Sequence, residues 1–414
     1  MSSIATLAIE TSQVDLLPRV LPAHRISNDQ EALEIAQALA AEFRVGASER
    51  DRQRCLPWDE IEKFSASGLG GITVPREFGG AQVSYRTLAE VFRVLCAADP
   101  ALGQIPQNHF GILGVVAQSA DAAQKARIYA AVLNGERIGN AGPERGTKNI
   151  LEMKARLIET PNGYRLNGKK FYSTGALFAH WVPTKALDEQ GRAVLVFVRR
   201  GTLGLKIVDD WSGFGQRTTA SGTVLLDNVA VAAEDVLPIH TSGQLPGLQG
   251  PVSQLIQAAI DAGIADAAVA DTIAFVRTRS RPWADSGVER ASDDPYIIRD
   301  IGDLKIRLHA ANALLAKAGT ALDQIATAVV DADASARASI AVAKAKVLTT
   351  EIALHASEKL FELAGSAATL AEHNLDRHWR NARTHTLHDP VRWKLHAIGN
   401  YVLNGIAPAR HSWN

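Results

Sequence analysis

The sequence predicts a chain of three parts: an N-terminal α-helical domain over 28–136, a central β-barrel or β-sandwich domain over 137–238, and a C-terminal four-helix bundle over 251–414. The spacing of apolar residues predicts these parts. It is helical in the first part, typical of strands in the second, and helical again over long stretches in the third. A β domain between two helical parts is an unusual order.

In the first part, apolar residues recur three and four positions apart, as on one face of a helix. Asn28 or Asp29 can cap the first helix, because a short polar side chain there accepts a hydrogen bond from a free backbone N–H. Turns that contain Gly and Pro, such as 75–80, separate the segments. The predicted helices are 31–43, 58–67, 84–97 and 121–134.

In the second part, short β-prone runs are separated by turns such as Pro161-Asn162-Gly163. The predicted strands are 154–159, 163–167, 193–199, 204–208 and 222–227. A stretch rich in Gly, Pro and Ser, 240–251, predicts a linker to the third part. The predicted bundle helices are 252–279, 296–330, 335–365 and 390–405. Bundles of this kind form ligand sites between their helices.

Composition excludes several classes of protein. Lys plus Arg and Asp plus Glu number 44 each among 414 residues, so neither a nucleic-acid partner nor an anionic membrane is expected. The sequence contains no uncharged apolar run of about 18 residues, the length that a membrane span needs. The N-terminus lacks the basic region of a secretory signal. Two cysteines, Cys55 and Cys96, are too few for a disulfide framework or a cysteine metal site. We therefore expect a soluble cytoplasmic protein.

Two motifs in the central part carry a family resemblance. Asn167-Gly-Lys-Lys-Phe-Tyr-Ser-Thr-Gly-Ala176 resembles an Asn-Gly-x-Lys-x-Trp-Ile-Thr-Asn strand, and the segment 213–229 resembles a Gly-x-Arg-x-Ser…Phe-Asp-Asn-Val pattern. Both patterns are typical of acyl-CoA dehydrogenases. With the order of the three parts, they identify the chain as a member of the acyl-CoA dehydrogenase superfamily over about residues 28–405. The resemblance implies an acyl-CoA dehydrogenase-like fold and a flavin cofactor.

The chain departs from the dehydrogenases where their thioester chemistry lies. Many of them carry a catalytic glutamate in a Tyr-Glu-Gly-Thr segment, and here His388, Asp389 and Pro390 stand in place of the Tyr, Glu and Gly. The stretch 374–390 is similar instead to the reduced-flavin monooxygenases of sulfur metabolism, a branch that includes dibenzothiophene monooxygenases and sulfur-acquisition oxidoreductases. Gln107-Asn-His-Phe110 agrees with the same branch.

The branch implies a two-component monooxygenase. Reduced FMN, supplied by a separate flavin reductase, would react with O2, and a hydroperoxide at flavin C4a would pass oxygen to an organosulfur compound of the dibenzothiophene or sulfone type. One alternative is an acyl-CoA dehydrogenase that binds FAD and uses Asp389 as its base. A second is a flavin-binding protein without catalysis. No Gly-x-Gly-x-x-Gly motif follows a strand, so no nicotinamide site is predicted.

Six of the twelve histidines lie between His373 and the C-terminus. A metal site is not expected, because His385 and His388 lack a helical glutamate partner and a third ligand at ordinary spacing. Imidazole can donate and transfer a proton near neutral pH, which suits oxygen chemistry on a reduced flavin. His388 is therefore our first catalytic candidate and His385 the second. The alternative is that both satisfy backbone groups at a helix junction.

Asp389 has two interpretations. It is either a catalytic base or an N-cap, because Asp followed by Pro390 before a helical stretch is typical of a cap with proline at the first helical position. A capping aspartate would be a weaker base, since helix amides stabilise its charge. The same helix N-terminus would favour an anionic flavin, so both roles can coexist.

Further site residues are implied by the resemblance. Asn140 and Ser173 are expected to contact the flavin edge, and Ser173 is also a catalytic candidate as a hydrogen-bond donor. Thr174 takes the place of the dehydrogenase threonine, and Tyr172 that of the tryptophan that packs on the ring. The alternative for Ser173 and Thr174 is that they are ordinary strand residues. His109, in an apolar helix, either faces substrate and flavin or is a satisfied core histidine.

Three arginines alternate at the end of a bundle helix, in Arg277-Thr-Arg-Ser-Arg281. The family's flavin-phosphate arginine maps to Arg279, with Arg281 as an alternative, and guanidinium suits phosphate through paired hydrogen bonds. A solvated helix end would explain the same pattern. In the family this arginine reaches the flavin of a neighbouring subunit, so the resemblance implies a homo-oligomer, a dimer or a tetramer built as a dimer of dimers.

Overall fold

A computed structural model describes residues 17–149, 152–241 and 245–414. Residues 1–16, where the sequence predicts no secretory signal, lie outside the described residues, as do 150–151 and 242–244, the last of which belong to the predicted linker. None of the helices within the described ranges is long and apolar enough to cross a membrane.

The first part is helical, as predicted. Asn28 caps its first helix, since its side chain accepts a hydrogen bond of 3.0 Å from the Glu31 N–H. The helices α2 and α5 were not among the predicted segments, because each is short, and α6 is the apolar helix expected around His109. The helices are α1 (Asp29–Arg44), α2 (Ala47–Gln53), α3 (Trp58–Ala66), α4 (Tyr85–Ala98), α5 (Pro100–Gln104), α6 (Gln107–Ser119) and α7 (Ala122–Leu133).

The second part forms one seven-stranded sheet where the sequence suggests a barrel or a sandwich. The strands are β1 (Arg156–Thr160), β2 (Gly163–Lys170), β3 (Trp181–Leu187), β4 (Ala193–Arg199), β5 (Leu205–Val208), β6 (Thr223–Val231) and β7 (Val236–Pro238). Their order is β5-β6-β2-β1-β3-β4-β7, and neighbours are antiparallel except for β1 and β3. The loop 171–175 follows β2, and the long loop 209–222 precedes β6. Because β2 and β6 are antiparallel neighbours, with Lys170 opposite Val224, the two loops lie at the same end of the sheet.

The third part is built around three long helices. They are α8 (Gln249–Thr278), α9 (Pro295–Ile325) and α10 (Ala332–Ala364), followed by the shorter α11 (Asp376–His385) and α12 (Arg392–Asn404). The N-terminal helix α4 packs against both α8 and α9, whereas α12 packs on α10. The middle of α8 is therefore enclosed by neighbours, and its residues 254–265 are all buried.

Candidate active site

Two aspartates of α8 hold the polar helix α11 in place. The Asp271 carboxylate lies 2.7 Å from His378 Nε2, and the Asp261 carboxylate lies 2.5 Å from His385 Nδ1. The two histidines are seven residues apart, about two turns, so they lie on one face of α11. This face is turned toward α8, and it positions the end of α11 in the interior of the protein.

Asp261 is the centre of a fully buried network. One carboxylate oxygen contacts His385, and the other accepts hydrogen bonds of 2.9 Å from both Lys346 Nζ and Thr350 Oγ1. Burial raises the pKa of Asp261, but the Lys346 ammonium and His385 oppose it and hold the pKa at about 2. The carboxylate is therefore ionised at neutral pH, and its charge is balanced by Lys346.

His385 presents a free nitrogen in the interior. Burial lowers its pKa although Asp261 raises it, so the imidazole is neutral at neutral pH. A neutral ring that donates Nδ1–H to Asp261 carries a lone pair on Nε2. This Nε2 is buried and has no hydrogen-bond partner within the described ranges. An unsatisfied buried polar atom in a native fold requires an explanation, and a bound ligand is one.

His388 lies one turn beyond His385, and its backbone N–H donates to the His385 carbonyl at 3.0 Å. Its side chain is partly exposed, at 35% of its free area, and Nδ1 lies 3.5 Å from the Asp389 carboxylate. The two histidines thus follow one another from the interior to the surface.

The predicted N-cap role of Asp389 is wrong. The helix α12 begins at Arg392 after Val391, and no side chain among the residues that the structure describes caps it. Asp389 is buried, and its carboxylate lies 3.3 Å from Lys394 Nζ instead. Burial raises the pKa of Asp389, but the hydrogen bond from His388 and the Lys346 and Lys394 ammonium groups bring it below its ordinary value. Charge pairing in a buried site outweighs the weaker bond to a helix amide.

The loop after β2 supplies the candidate flavin-edge residues. Tyr172 has a φ of 58°, a left-handed conformation that is unfavourable for a bulky residue and is found at functional sites. Its carbonyl oxygen accepts a hydrogen bond of 3.4 Å from Asn140 Nδ2, and its ring is half exposed, in edge contact with Phe171. The next residue, Ser173, is buried, and its Oγ has no partner in the part of the chain that is described.

Thr174 is also buried, and its Oγ1 lies 2.7 Å from Ser221 Oγ in the loop before β6. That loop packs directly on α11. The Gln216 N–H donates to Asn381 Oδ1 at 2.6 Å, and a Cβ atom on Gly215 would lie only 1.9 Å from the Arg380 carbonyl oxygen. Only glycine permits this approach. These contacts join the loop 209–222, which contacts Thr174 through Ser221, to α11, the helix that ends at His385.

His109 lies elsewhere, between α6 and the start of the β part. Its Nδ1 accepts a hydrogen bond of 3.0 Å from the Ile138 N–H, and its Nε2 lies 2.9 Å from the Gly70 carbonyl. Burial lowers its pKa to about 4, so the ring is neutral and donates from Nε2. Both ring nitrogens are therefore used by the backbone, which favours the interpretation of a satisfied core histidine.

Arg279 and Arg281 are exposed where α8 ends. At about 1.5 Å per residue, Arg279 lies about 27 Å along α8 from Asp261. One chain therefore does not bring these arginines to His385.

Comparison with known proteins agrees with this architecture. Residues 28–136 match the acyl-CoA dehydrogenase N-terminal domain, and residues 255–393 match the C-terminal domain of the same family. The chain is 33% identical over 401 residues to dibenzothiophene monooxygenase of Rhodococcus erythropolis, an alignment that covers 93% of this chain and 96% of that one. The chain belongs to the acyl-CoA dehydrogenase family. Its similarity places it in the monooxygenase branch, which confirms the family and branch predicted from the sequence.

Two further relatives are linked to FMN, one by its name and the other by its crystal structure. The chain is 30% identical to the probable FMNH2-dependent monooxygenase SfnC of Pseudomonas putida, over 91% of this chain and 96% of that one. The crystal structure of FMN-bound TdsC from Paenibacillus sp. A11-2 is 30% identical, with a TM-score of 0.88, and the match covers 92% of this chain and all of that one.

The residues of this acyl-CoA dehydrogenase family member fit a flavin edge. A flavin ring carries several N and O atoms that need hydrogen-bond partners, and the buried Ser173 Oγ and His385 Nε2 are polar atoms without one in the described ranges. Tyr172 and Thr174 flank Ser173 in the chain, and Asn140 contacts the same loop through the Tyr172 carbonyl oxygen. These residues would hold FMN.

Several buried polar residues near α8 lie outside the sequence motifs. Asp261 and Lys346 are single buried charges within Ala-rich helices, and this was the signal that could have found them. Gln257 lies one turn before Asp261 on α8, and both atoms of its buried amide have no partner among the described residues. The Gln104 side chain at the end of α5 has a buried Oε1 that also lacks a partner within the part of the chain that the structure describes.

Proposed function

We propose that this protein is an FMNH2-dependent monooxygenase that oxygenates a small organosulfur compound. The named activities of the relatives support this activity, and so does the cofactor of TdsC. The observation that carries the proposal is the state of two groups, Asp389 at the dehydrogenase base position and His385 at the end of α11 beside it. Asp389 is already ion-paired with Lys394, while His385 offers a buried, neutral nitrogen. The lowered pKa of Asp389 makes its carboxylate a weak base for removing an α-proton from an acyl thioester.

Reduced FMN would supply the two electrons that convert one atom of O2 to water while the other passes to sulfur. In our proposal, Asn140, Ser173 and Thr174 bind and orient the polar edge of the ring. Tyr172 packs beside the ring and limits access of water. His385 Nε2 accepts a proton in the interior, held in that tautomer by Asp261, and His388 exchanges protons with solvent.

The substrate we propose is an organosulfur compound of the dibenzothiophene or sulfone type, and the reduced flavin is supplied by a separate flavin reductase. We further propose a cytoplasmic homo-oligomer, a dimer of dimers. The distance of about 27 Å between Arg279 and Asp261 supports an oligomer, because these exposed arginines can serve as flavin-phosphate ligands only for another subunit's site.

Isotope labelling tests the activity. The protein is loaded anaerobically with reduced FMN and mixed with ¹⁸O2 in the presence of dibenzothiophene or dimethyl sulfone, and the products are examined by mass spectrometry. We expect a product that carries one ¹⁸O atom from O2. Absence of labelled product, together with bleaching of bound oxidised FAD by an acyl-CoA that Asp389→Asn abolishes, would establish the dehydrogenase alternative instead.

A further inference from the structure

Three hydroxyl groups form a chain that ends on a backbone carbonyl. Thr174 Oγ1 lies 2.7 Å from Ser221 Oγ, and Ser221 Oγ lies 2.7 Å from Thr219 Oγ1. Thr219 Oγ1 then donates to the Gln216 carbonyl oxygen at 2.9 Å. All four residues are buried, so bulk water does not compete for these hydrogen bonds.

The carbonyl at the end of the chain sets the direction of every hydrogen bond in it. A carbonyl oxygen only accepts, so the single proton of Thr219 points to Gln216. The contact between Thr219 and Ser221 then needs the proton of Ser221, and the contact between Ser221 and Thr174 needs the proton of Thr174. Only this direction satisfies all three contacts. Thr174 Oγ1 is left with lone pairs and no proton to donate elsewhere.

We propose that Thr219 and Ser221 are positioning residues that make Thr174 a hydrogen-bond acceptor and thereby select reduced over oxidised FMN. The inference rests on the proposed function, which sets Thr174 at the flavin edge. The two redox states differ there at N5, which carries a hydrogen in reduced flavin and only a lone pair in oxidised flavin. An acceptor oxygen attracts the N5–H of the reduced ring and repels the N5 lone pair of the oxidised ring.

The selection suits an enzyme that takes reduced flavin from another protein. After turnover the flavin is oxidised, and the same acceptor oxygen then favours its release. The end of the chain is also fixed in place, because the Gln216 N–H donates to Asn381 on α11 at 2.6 Å. The docking of the loop on this helix therefore fixes the position of Gln216, whose carbonyl oxygen sets the direction of the relay.

The test measures binding of FMN to the full chain, without turnover. Dissociation constants are determined for oxidised FMN, for reduced FMN under anaerobic conditions, and for oxidised 5-deaza-FMN, in which a C–H group replaces N5. The variants are Thr219→Val, which keeps the shape but removes the hydroxyl, and Thr219→Ser, which keeps the hydroxyl. Ser221→Ala interrupts the relay at the next position and serves if Thr219→Val does not fold.

In the wild type we expect reduced FMN and 5-deaza-FMN to bind more tightly than oxidised FMN, by about tenfold, the effect of one hydrogen bond gained or opposed. Thr219→Val frees Ser221 to donate to Thr174, so the Thr174 proton can turn to N5. Its preference for reduced FMN should fall about 3- to 10-fold, and 5-deaza-FMN should lose its advantage. Thr219→Ser should behave as the wild type does.

Three results would overturn the proposal, and they are distinguishable. If the wild type binds FMN but does not prefer the reduced form, Thr174 does not select the redox state. If the wild type prefers reduced FMN and Thr219→Val or Ser221→Ala retains the full preference, the relay does not set it. If the wild type binds neither redox state of FMN, the proposed function fails, and the inference fails with it.

Discussion

Two histidines with nearly the same burial, His109 and His385, are used in opposite ways. Their exposed fractions are 3% and 1%. His109 joins α6 to the β part through backbone groups on both ring nitrogens, at Ile138 and Gly70. His385 uses one nitrogen for Asp261 and leaves the other without a partner in the described ranges.

Burial alone therefore does not distinguish a histidine with a structural role from one that can exchange a proton. A ring with both nitrogens bonded to the backbone cannot exchange a proton without breaking a contact of the fold. A ring held by a carboxylate on one side has a fixed tautomer and a free nitrogen on the other. The contacts favour a structural role for His109, and we propose that the chemistry takes place at the end of α11.

The largest expected effect comes from the carboxylate behind His385. Asp261→Asn leaves the buried Lys346 ammonium without a counter-charge, and we expect the free energy of unfolding to fall by about 3–5 kcal/mol in urea denaturation. Thr350→Val, the matched control, removes only one hydrogen bond to the same carboxylate and should cost about 1 kcal/mol. Equal losses in the two variants would show that Asp261 does not balance the charge of Lys346.

A second variant separates α11 from the β part. In Gly215→Ala the new Cβ would meet the Arg380 carbonyl oxygen, so either the loop or the helix must move. We expect the free energy of unfolding to fall by about 3 kcal/mol, the upper end for overpacking, and binding of FMN to weaken. Gly399→Ala in α12 has open space around its Cβ and should be neutral or slightly stabilising. Unchanged stability and binding in Gly215→Ala would contradict the close packing of α11.

The structural role of His109 has a pH signature. Burial lowers its pKa from 6.5 to about 4, so the unfolded chain binds a proton more readily than the folded one. The stability that neutral His109 contributes is complete above pH 6.5 and is lost as the pH falls toward 4. Between pH 7.5 and 5 the loss should be about 2 kcal/mol. Between these pH values the free energy of unfolding of His109→Gln should fall less than that of the wild type, by this amount. An identical fall in the two proteins would refute the structural assignment of His109.

The smallest effect on stability is expected at His388. Its side chain is partly exposed, so His388→Ala should change the free energy of unfolding by less than about 0.5 kcal/mol. The same variant should release more hydrogen peroxide per O2 consumed, because proton exchange beside the site is impaired. His396→Ala, an exposed histidine of α12, is the control and should leave this ratio unchanged. Unaltered coupling in His388→Ala would remove His388 from the mechanism.

The sequence predicts most of the helices and strands, because local spacing determines them. It does not predict β3, since Pro183 lies within the strand and proline is unfavourable inside a sheet. It does not predict α11 either. That helix is polar on all sides, and its buried face is satisfied by Asp271 and Asp261 rather than by apolar contacts.

The site was predictable only where motifs are contiguous. His385, His388 and the loop 172–174 lie in stretches that resemble a known family. Asp261 lies 124 residues before His385 in the chain, and nothing in the local sequence pairs the two. The Asp389 cap failed for a related reason, because the pattern of Asp before Pro does not reveal that Lys394 turns back toward the carboxylate.

The most direct test of the proposed site at the end of α11 compares His385→Gln with His109→Gln. Each variant, confirmed as folded, receives the same amount of reduced FMN and O2 with dibenzothiophene, and the hydrogen peroxide released per O2 consumed is determined. We predict that His109→Gln couples oxygen to product as the wild type does, while His385→Gln releases most of the oxygen as hydrogen peroxide. Uncoupling by His109→Gln with coupling preserved in His385→Gln would contradict the assignment of chemistry to the end of α11.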